Sequence, residues 1–413
     1  MKQLVVHTKF IAPRLHYIVV QLFEKWYGLK VDFIESQNIA PDEYALYNHE
    51  GLLLCSNKSK ILFSTEIQHH VEFDWTRIRK FDFNVDWLGA AFFLLSRMEE
   101  YYTPKDAHGR FRYNNSVAFQ EGFLREPLVD KVVFQFVKQY FPEKISYFNK
   151  LQIIPTLDID MTHAFLGRNV FRQCGAIVKD WLNGTVKERM NVLQEKEEDP
   201  YNNFDYQLEV LERNRLQAQY FFQVGRYGKF DKNISPSHPL FIEVLNRVKD
   251  CKIGLHPSYN TMITPKLLAQ EKAILEKLIP HPVTVSRQHF LRFSLPDTYR
   301  SLINIGIKEE HSMGFSEITG FRAGTSRSFL WFDLGSNSVS NLLIQPFAVM
   351  DVALEYFQHY SVEQAILEIR TIKEELRILN GTFAFCFHNE SLSERNQWKG
   401  WRVVFEEACK QNK

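Results

Sequence analysis

The sequence predicts an α/β protein in which a small N-terminal α/β domain precedes a seven-unit, incomplete TIM-like (β/α) barrel. From Leu151 onward, short strand-like segments alternate with helix-like segments, and seven such segments imply a parallel sheet with helical crossovers. Polar and titratable residues stand at five of the seven predicted strand ends, where the catalytic groups of such barrels gather. A chain of 413 residues is long enough for both parts.

The N-terminal module is predicted at residues 1–125, a helical linker at 126–150 and the barrel at 151–413. The apolar residues of Pro13–Lys25 recur at helical spacing, and Gln3–His7 has the pattern of a strand. The other predicted elements are strands at Ala45–Tyr47, Gly51–Cys55 and Ile61–Ser64, helices at Trp87–Tyr101 and Pro127–Tyr140, and a polar loop at Asp106–Ser116.

The barrel region is predicted to alternate strands and helices along its whole length. The predicted strands are Ile153–Leu157, Gln217–Val224, Lys252–His256, Val283–Leu291, Gly314–Ile318, Leu342–Pro346 and Thr382–Phe387. The predicted helices are Phe204–Asn214, Pro239–Asp250, Pro265–Leu278, Leu295–Ile305, Phe347–Tyr360 and Ser361–Leu379. The charged stretch Gly167–Asn203 is longer than a normal crossover, which predicts an excursion near the barrel mouth.

The composition is that of an ordinary soluble globular protein, with 45% hydrophobic and 24% charged residues. A formal net charge of +1 without long basic runs argues against a nucleic-acid partner. Five scattered cysteines without CxxC spacing favour reduced thiols and a cytoplasmic location. Lys9 and Arg14 interrupt the N-terminal apolar residues, so we expect neither a signal peptide nor a transmembrane segment.

Asp158 and Asp160 close the first predicted barrel strand. Carboxylates at the end of a buried strand are costly unless a metal, an arginine or a shared proton compensates them. Their i, i+2 spacing places both on one face, which suits one metal ligand and one neighbouring base. Taken singly, each could also be a helix N-cap or a turn residue.

Other strand ends carry potential partners for these carboxylates. His256 and Asn260 in HPSYN are four residues apart, which is a ligand spacing when the intervening turn is helical. Arg287 lies in an apolar strand and is predicted to pair with Asp158. His388 ends the last strand. A core histidine or a surface ion pair remains the alternative for each residue on its own.

Four motifs in this order, TLDID, HPSYN, SRQHF and FHNE, resemble those of the polysaccharide deacetylase superfamily (carbohydrate esterase family 4). The resemblance covers about residues 150–395 in motif order rather than by continuous identity. LSRMEEYY, DAHGRF and FLREP resemble the domain that precedes this barrel in a poorly characterised bacterial subgroup. The resemblance implies a distorted seven-unit barrel that removes acetyl groups from N-acetylated sugars with one divalent metal, for which zinc is the expectation.

The resemblance also implies a role for each matching residue. Asp158 would be the general base, and Arg287 would hold it and tune its pKa. Asp160 and His256 would bind the metal. His388 would be the general acid that protonates the departing amine.

Two positions depart from the family pattern. Asn260 stands where the family has its second ligand histidine, and an amide oxygen is a weaker, uncharged ligand. His289, which replaces the family's proline, and His163 are the other candidates for the third ligand. Asp106, His108 and Arg110 of the N-terminal module either reach the barrel mouth or form an interdomain salt-bridge loop.

We therefore predict a metal-dependent hydrolase of C–N amide bonds that deacetylates an amino sugar or a glycan precursor. The alternative is a non-catalytic carbohydrate-binding or scaffold barrel with a degenerate metal site. A hydrolase of another amide or ester on the same barrel is a third possibility. The sugar, the metal and the oligomeric state are not determined by the sequence.

Overall fold

The computed structural model describes residues 3–68, 71–145, 151–182 and 186–411. It is a mixed α/β structure with a four-stranded sheet and a nine-stranded sheet. The last residues of the predicted linker, 146–150, lie outside the described residues, as do residues 1–2 and 412–413 of the predicted domains. In the described chain, no helix combines the length and the apolar character needed to cross a membrane.

The N-terminal region is built around the smaller sheet, whose strand order is β2-β1-β3-β4. The strands are β1 (Gln3–Thr8), β2 (Lys30–Glu35), β3 (Glu43–Asn48) and β4 (Leu53–Lys58). The helices are α1 (Pro13–Val19), α2 (Trp75–Arg79), α3 (Trp87–Ser96), α4 (Val117–Gln120) and α5 (Leu128–Tyr140). The predicted strand at Ile61–Ser64 is wrong, because this segment forms a turn, and β2 was not predicted.

The predicted helix Pro13–Lys25 is confirmed, although its second half, Val20–Lys25, is π-helical. The predicted helix Trp87–Tyr101 is shorter than expected. It ends at Arg97, whose left-handed φ of 53° breaks the helix before the single 3₁₀ turn Met98–Tyr101.

The second region contains the larger sheet and most of the helices. Its strands are β5 (Gln152–Ile159), β6 (Gln219–Phe222), β7 (Lys252–Leu255), β8 (Val285–Ser286), β9 (Glu309–Glu310), β10 (Phe329–Asp333), β11 (Ser338–Ile344), β12 (Val349–Met350) and β13 (Thr382–His388). Its helices are α6 (Val170–Leu182), α7 (Val186–Leu193), α8 (Phe204–Arg213), α9 (Pro239–Arg247), α10 (Lys266–Glu276), α11 (Asp297–Asn304), α12 (Val362–Ile378) and α13 (Arg402–Cys409).

The larger sheet has the order β10-β11-β9-β8-β7-β6-β5-β13-β12. All neighbours are parallel except the hairpin of β10 and β11. This succession is the one expected of a (β/α) barrel, but within the described residues no ladder joins β12 to β10 or β11. The α/β class is therefore confirmed, whereas a closed barrel of seven units is not.

Three predicted elements in the second half of the larger sheet are wrong in extent or in type. Val283–Leu291 is a strand only at Val285–Ser286, because Phe290 and Leu291 take left-handed φ values of 62° and 51° and turn the chain. Gly314–Ile318 is irregular, and the strand of that unit is β9. The predicted helix Phe347–Tyr360 is instead the short strand β12 followed by the π-helical turn Ala353–Phe357.

The site lies at the carboxyl ends of the central strands. β5 and β13 are neighbours in parallel register, and His388 is the partner of Asp158. Strands buried on both faces read as continuous apolar runs, which is why β5 and β13 are rich in Ile, Leu and Phe. Their ends bring the first and last sequence motifs side by side.

Candidate active site

Asp158 is buried at the end of β5 and forms an ion pair with Arg287. Nη1 of Arg287 donates to Oδ1 of Asp158 at 2.8 Å, and its Nε donates to the carbonyl oxygen of His311 at 3.0 Å. Burial opposes ionisation of Asp158, but the charges of Arg287, His256 and His388 outweigh it and lower the pKa of the carboxyl. Asp158 is therefore a carboxylate at neutral pH.

Asp160, His256 and His289 converge on one point beside this pair. Oδ1 of Asp160 lies 3.0 Å from Nε2 of His256, and its Oδ2 lies 3.2 Å from Nε2 of His289. The three potential ligand atoms are all within 4.8 Å of one another. Burial opposes ionisation of Asp160, yet the two imidazoles lower its pKa well below the usual value.

Both histidines are held through their other ring nitrogen. Nδ1 of His256 lies 2.6 Å from the carbonyl oxygen of Arg287, which can only accept a hydrogen bond. Nδ1 of His289 lies 2.9 Å from Oδ1 of Asp231. These contacts place a proton on each Nδ1 and turn each Nε2 toward Asp160.

This donor set fits a divalent cation. Oδ1 of Asp160 is buried, and with the proton of His256 on Nδ1 the Nε2 atom 3.0 Å away has no hydrogen to donate, which leaves a carboxylate oxygen unsatisfied at a cost. Two imidazole nitrogens and one carboxylate are a ligand set that zinc accepts at catalytic sites. Burial lowers the pKa of His289, but the charges of Asp160 and Asp231 outweigh burial and raise it to about 9. Without a metal, His289 therefore carries a second proton, and a metal bound at its Nε2 would displace that proton.

His388 faces this cluster from β13 and is held by Asp351. Oδ1 of Asp351 accepts from Nδ1 of His388 at 2.8 Å, and its Oδ2 accepts from the backbone N–H of His388 at 2.6 Å. Burial lowers the pKa of His388, but Asp351 outweighs burial and raises it to about 10. His388 therefore carries a proton at neutral pH.

A cavity of about 460 Å³ opens onto these groups. Its polar wall contains Asp158, Asp160, His256, His289 and His388. The opposite wall is mainly apolar and includes Phe290, Leu291, Met350, Val352, Tyr356 and Phe357. A cavity of this size, with a few convergent polar groups on one side, has the character of a small-molecule site.

The structure brings together Asp158, Asp160, His256, Arg287 and His388, five of the residues predicted from the sequence. Two other predicted candidates lie elsewhere. Asn260 is exposed in the 3₁₀ turn Tyr259–Met262 and is not among the residues that line the cavity. His163 is buried, with its Nδ1 3.1 Å from Oγ1 of Thr162. Of the three candidates for the third ligand, His289 is the one that contacts Asp160.

The sequence did not predict the two carboxylates that accept hydrogen bonds from His289 and His388. Asp231 follows β6 and Asp351 follows β12, and neither is among the residues predicted from the sequence. Asp351 directly follows β12, so an acid at a strand end marks it, whereas Asp231 lies nine residues after the end of β6 and has no such signal. Cys386 was also missed: its Sγ lies 3.4 Å from Oδ2 of Asp158, and burial raises the pKa of this thiol well above its usual value.

The N-terminal module reaches the cavity through the loop that contains Asp106 and Arg110. Arg110 lines the cavity, and its Nη1 donates to Oγ of Ser316 at 3.0 Å and to the carbonyl oxygen of Phe290 at 3.4 Å. Its Nε donates to Oδ2 of Asp106 at 2.8 Å. Nη2 of Arg110 also lies 3.5 Å from Oε1 of Glu317 in the second region, so the loop both reaches the cavity and forms an ion pair between the two regions.

Comparison with protein families finds a match for residues 4–146 to a family of unknown function, DUF7033. The match covers the N-terminal module and assigns no activity to it. A comparison with curated proteins finds no match.

Solved structures that resemble this chain include two described as candidate polysaccharide deacetylases, the family that the sequence motifs resemble. One, from Mycobacterium smegmatis, is 14% identical, with a TM-score of 0.41 over 63% of this chain and 85% of the other. A second, from Bordetella bronchiseptica and described as involved in O-antigen biosynthesis, is 13% identical, with a TM-score of 0.29 over 60% of this chain and 74% of the other.

Proposed function

We propose that this chain is a metal-dependent hydrolase that removes an N-acetyl group from an amino sugar or a glycan precursor. The observation that carries the proposal is the arrangement at the cavity. Three metal-ligand side chains, a carboxylate held ionised by an arginine and a protonated histidine all face the same space. Amide hydrolysis needs a Lewis acid, a base and an acid, and these groups match that requirement.

Asp160, His256 and His289 would hold the metal, for which zinc is the expectation. A bound zinc ion supplies a Lewis acid for the amide carbonyl and favours deprotonation of water near neutral pH. The contacts of Nδ1 of His256 with a carbonyl and of Nδ1 of His289 with Asp231 keep each Nε2 free for this role.

Asp158 is proposed as the general base. Its pKa is lowered, so it is ionised and can accept a proton from water. Arg287 fixes Oδ1, and Oδ2 remains on the side of His256, 3.8 Å from its Nε2. The arginine therefore orients the base as well as keeping it charged.

His388 is proposed as the general acid. Its raised pKa keeps the imidazolium protonated, and Asp351 holds Nδ1 so that Nε2 is the nitrogen that can release a proton. The amine leaving group of an amide is a poor one and must be protonated as the C–N bond breaks. His388 and Asp158 are paired residues on the neighbouring strands β13 and β5, so the acid and the base would approach the amide from adjacent strands.

The apolar wall supports an acetylated sugar as the substrate. Leu291 and Met350 are buried and offer contact for a methyl group. Tyr356 and Phe357 are partly exposed at the same cavity, where aromatic rings can pack against the apolar face of a sugar.

The non-catalytic alternative is not favoured. It depended on Asn260 as a lost third ligand, whereas His289 contacts Asp160 and is supported by Asp231. The side chains thus supply a complete three-ligand set without position 260.

The proposal is tested by measuring bound metal and acetate release from N-acetylated amino sugars and their short oligomers. We expect about one zinc ion per chain in the wild type and in Asp158→Asn, but acetate release reduced at least ~100-fold in that variant. Asp160→Asn should lose the metal as well. Equal acetate release by wild type and Asp158→Asn would refute the assigned role of Asp158.

A further inference from the structure

Helix α6 carries a row of large apolar side chains that other parts of the described chain do not cover. Phe171 is 91% exposed, Trp181 is 69% exposed and Leu182 is 71% exposed, and Val170 and Val178 are exposed as well. Their spacing of three, four, seven and eight residues places them along one face of the helix. An exposed apolar face of this kind is unusual for a protein surface and marks an interaction site.

A basic loop adjoins this helix. Arg226, Lys229 and Lys232 are exposed in the loop between β6 and α9. The loop is attached to α6 through Arg172, whose guanidinium lies 3.6 Å from the ring centre of Tyr227 and whose Nη2 donates to the carbonyl oxygen of Lys232 at 3.3 Å. The loop that carries the three cations therefore packs against α6.

The acids of these two segments are already neutralised inside the protein. Asp180 of α6 accepts from Nε of Arg189 at 2.6 Å. Asp231 of the loop is buried against His289. The surface that α6 and the loop present is consequently apolar and positively charged.

We propose that α6 and the 226–232 loop form a docking surface for an anionic lipid bilayer. Amphipathic helices that bind membrane surfaces combine exposed Trp, Phe and Leu with flanking Lys and Arg, which is the composition found here. A second copy of this chain fits less well, because a symmetric contact would bring the two basic loops together.

Trp181 gives the proposal a direct readout that does not depend on turnover. The other six tryptophans are buried, so changes in emission and in acrylamide quenching on binding report on Trp181. We expect the intact protein to sediment with vesicles of phosphatidylglycerol and phosphatidylcholine, with blue-shifted emission and reduced quenching. Binding should weaken at least ~10-fold between low and high salt, because the lipid charges are then screened.

Matched variants separate the surface from general effects on the protein. Phe171→Ser with Leu182→Ser should reduce vesicle binding by at least ~10-fold while leaving Trp181 as the reporter. Leu367→Ser is the control, because Leu367 is similarly exposed (65%) on α12, and it should bind as the wild type does. Lys229→Gln with Lys232→Gln should reduce binding to anionic vesicles most at low salt.

Three results would overturn the proposal. The first is unchanged Trp181 emission with anionic vesicles. The second is an equal loss of vesicle binding in the Leu367→Ser control and in the Phe171→Ser, Leu182→Ser variant. The third is a dimer in sedimentation velocity that Phe171→Ser abolishes, together with no binding to vesicles, since that would assign the face to self-association.

Discussion

The carboxylates of Asp231 and Asp351 each hold one histidine of the candidate site. Each contact sets the orientation or the charge of its histidine ring. Asp231 accepts from Nδ1 of His289, and Asp351 accepts from Nδ1 of His388. The same pairing serves two purposes: at His289 it directs Nε2 to Asp160, and at His388 it keeps the ring charged.

At Asp231, we predict a loss of metal affinity without unfolding. Asp231→Asn keeps the shape of the side chain but removes the charge that orients His289, so zinc affinity should fall by about 10- to 100-fold. Competition with a chromogenic chelator measures the affinity. Asp333→Asn is the control, because Asp333 pairs with Arg300 away from the cavity and should leave zinc affinity unchanged. Equal affinities of wild type and Asp231→Asn would show that the contact has no positioning role.

At Asp351, we predict a shift of the pH profile. The pKa of His388 is raised to about 10, so the acid form persists through neutral pH and is lost only as the pH approaches that value. In Asp351→Asn the opposing effect of burial remains, so the pKa of His388 should fall and the alkaline limb of kcat should move to lower pH. At pH 8 we expect ~100-fold or greater loss of kcat, with smaller loss at pH 5.5. A uniform decrease at all pH values would contradict the assignment.

At the scale of elements, the sequence predicts the secondary structure of long segments that have a clear apolar pattern. β5, β13 and α12 were predicted within two residues, because β5 and β13 are continuous apolar runs and α12 has an apolar period and the Ser361–Gln364 capping box. β8 and β9 have only two residues each, too few for any period. Their positions follow from pairing with neighbouring strands, which one sequence does not reveal.

The location of the third ligand could not be predicted for a related reason. His289 reaches Asp160 because the chain leaves the strand after Ser286 and turns through the left-handed Phe290 and Leu291. Neither residue favours that conformation, so no local signal marks the turn. Spacing within HPSYN instead pointed to Asn260, whose turn faces solvent. The residues of the candidate site were thus mostly predictable from the sequence, whereas their geometry was not.

The loop that holds Asp231 begins at Gly225, where two elements approach closely. A Cβ at this position would lie 2.4 Å from Cβ of Ser258 and 2.9 Å from Oε1 of Glu271, which accepts from Ser258. We predict that Gly225→Ala destabilises the protein by ~1–3 kcal/mol in urea unfolding and also lowers zinc affinity. Gly175→Ala in α6 is the control: nothing lies within 4 Å, and the change should stabilise by ~0.5–1 kcal/mol. Equal stability of the two variants would show that the loops adjust freely.

At the scale of the whole molecule, the N-terminal region and the larger sheet share one interface and one apolar core. Oη of Tyr17 donates to the carbonyl oxygen of Leu330 at 2.6 Å, and Nε1 of Trp26 donates to that of Ser328 at 2.8 Å. The interface extends to the cavity, which Arg110 of the N-terminal region lines. We expect the two regions to unfold as one cooperative unit, and the division at residues 125 and 150 remains a prediction from sequence.

A buried ion pair of Glu100 and Arg322 links the two regions. Nε and Nη2 of Arg322 donate to the two carboxylate oxygens at 2.8 and 2.6 Å, and Nε of Arg97 donates to Oε1 at 2.8 Å. Burial would raise the pKa of Glu100, but Arg322 and Arg97 outweigh it and lower the pKa to about 2. A depressed carboxyl pKa stabilises the fold above the unfolded value of about 4.5, and this contribution is lost as the pH falls toward 2.

Glu100→Gln should therefore cost ~3–5 kcal/mol at pH 7, because it leaves two buried guanidinium groups without this carboxylate. The deficit should narrow as the pH falls from 4.5 to 2.5, where the wild type begins to protonate Glu100 and loses the same interaction. Urea unfolding followed by tryptophan fluorescence and by circular dichroism at several pH values measures both effects. Glu121→Gln, at an exposed position of the same module, should change stability by less than ~0.5 kcal/mol. A Glu100→Gln deficit that is independent of pH, or two separate unfolding transitions in the wild type, would contradict a stabilising charge pair between cooperative regions.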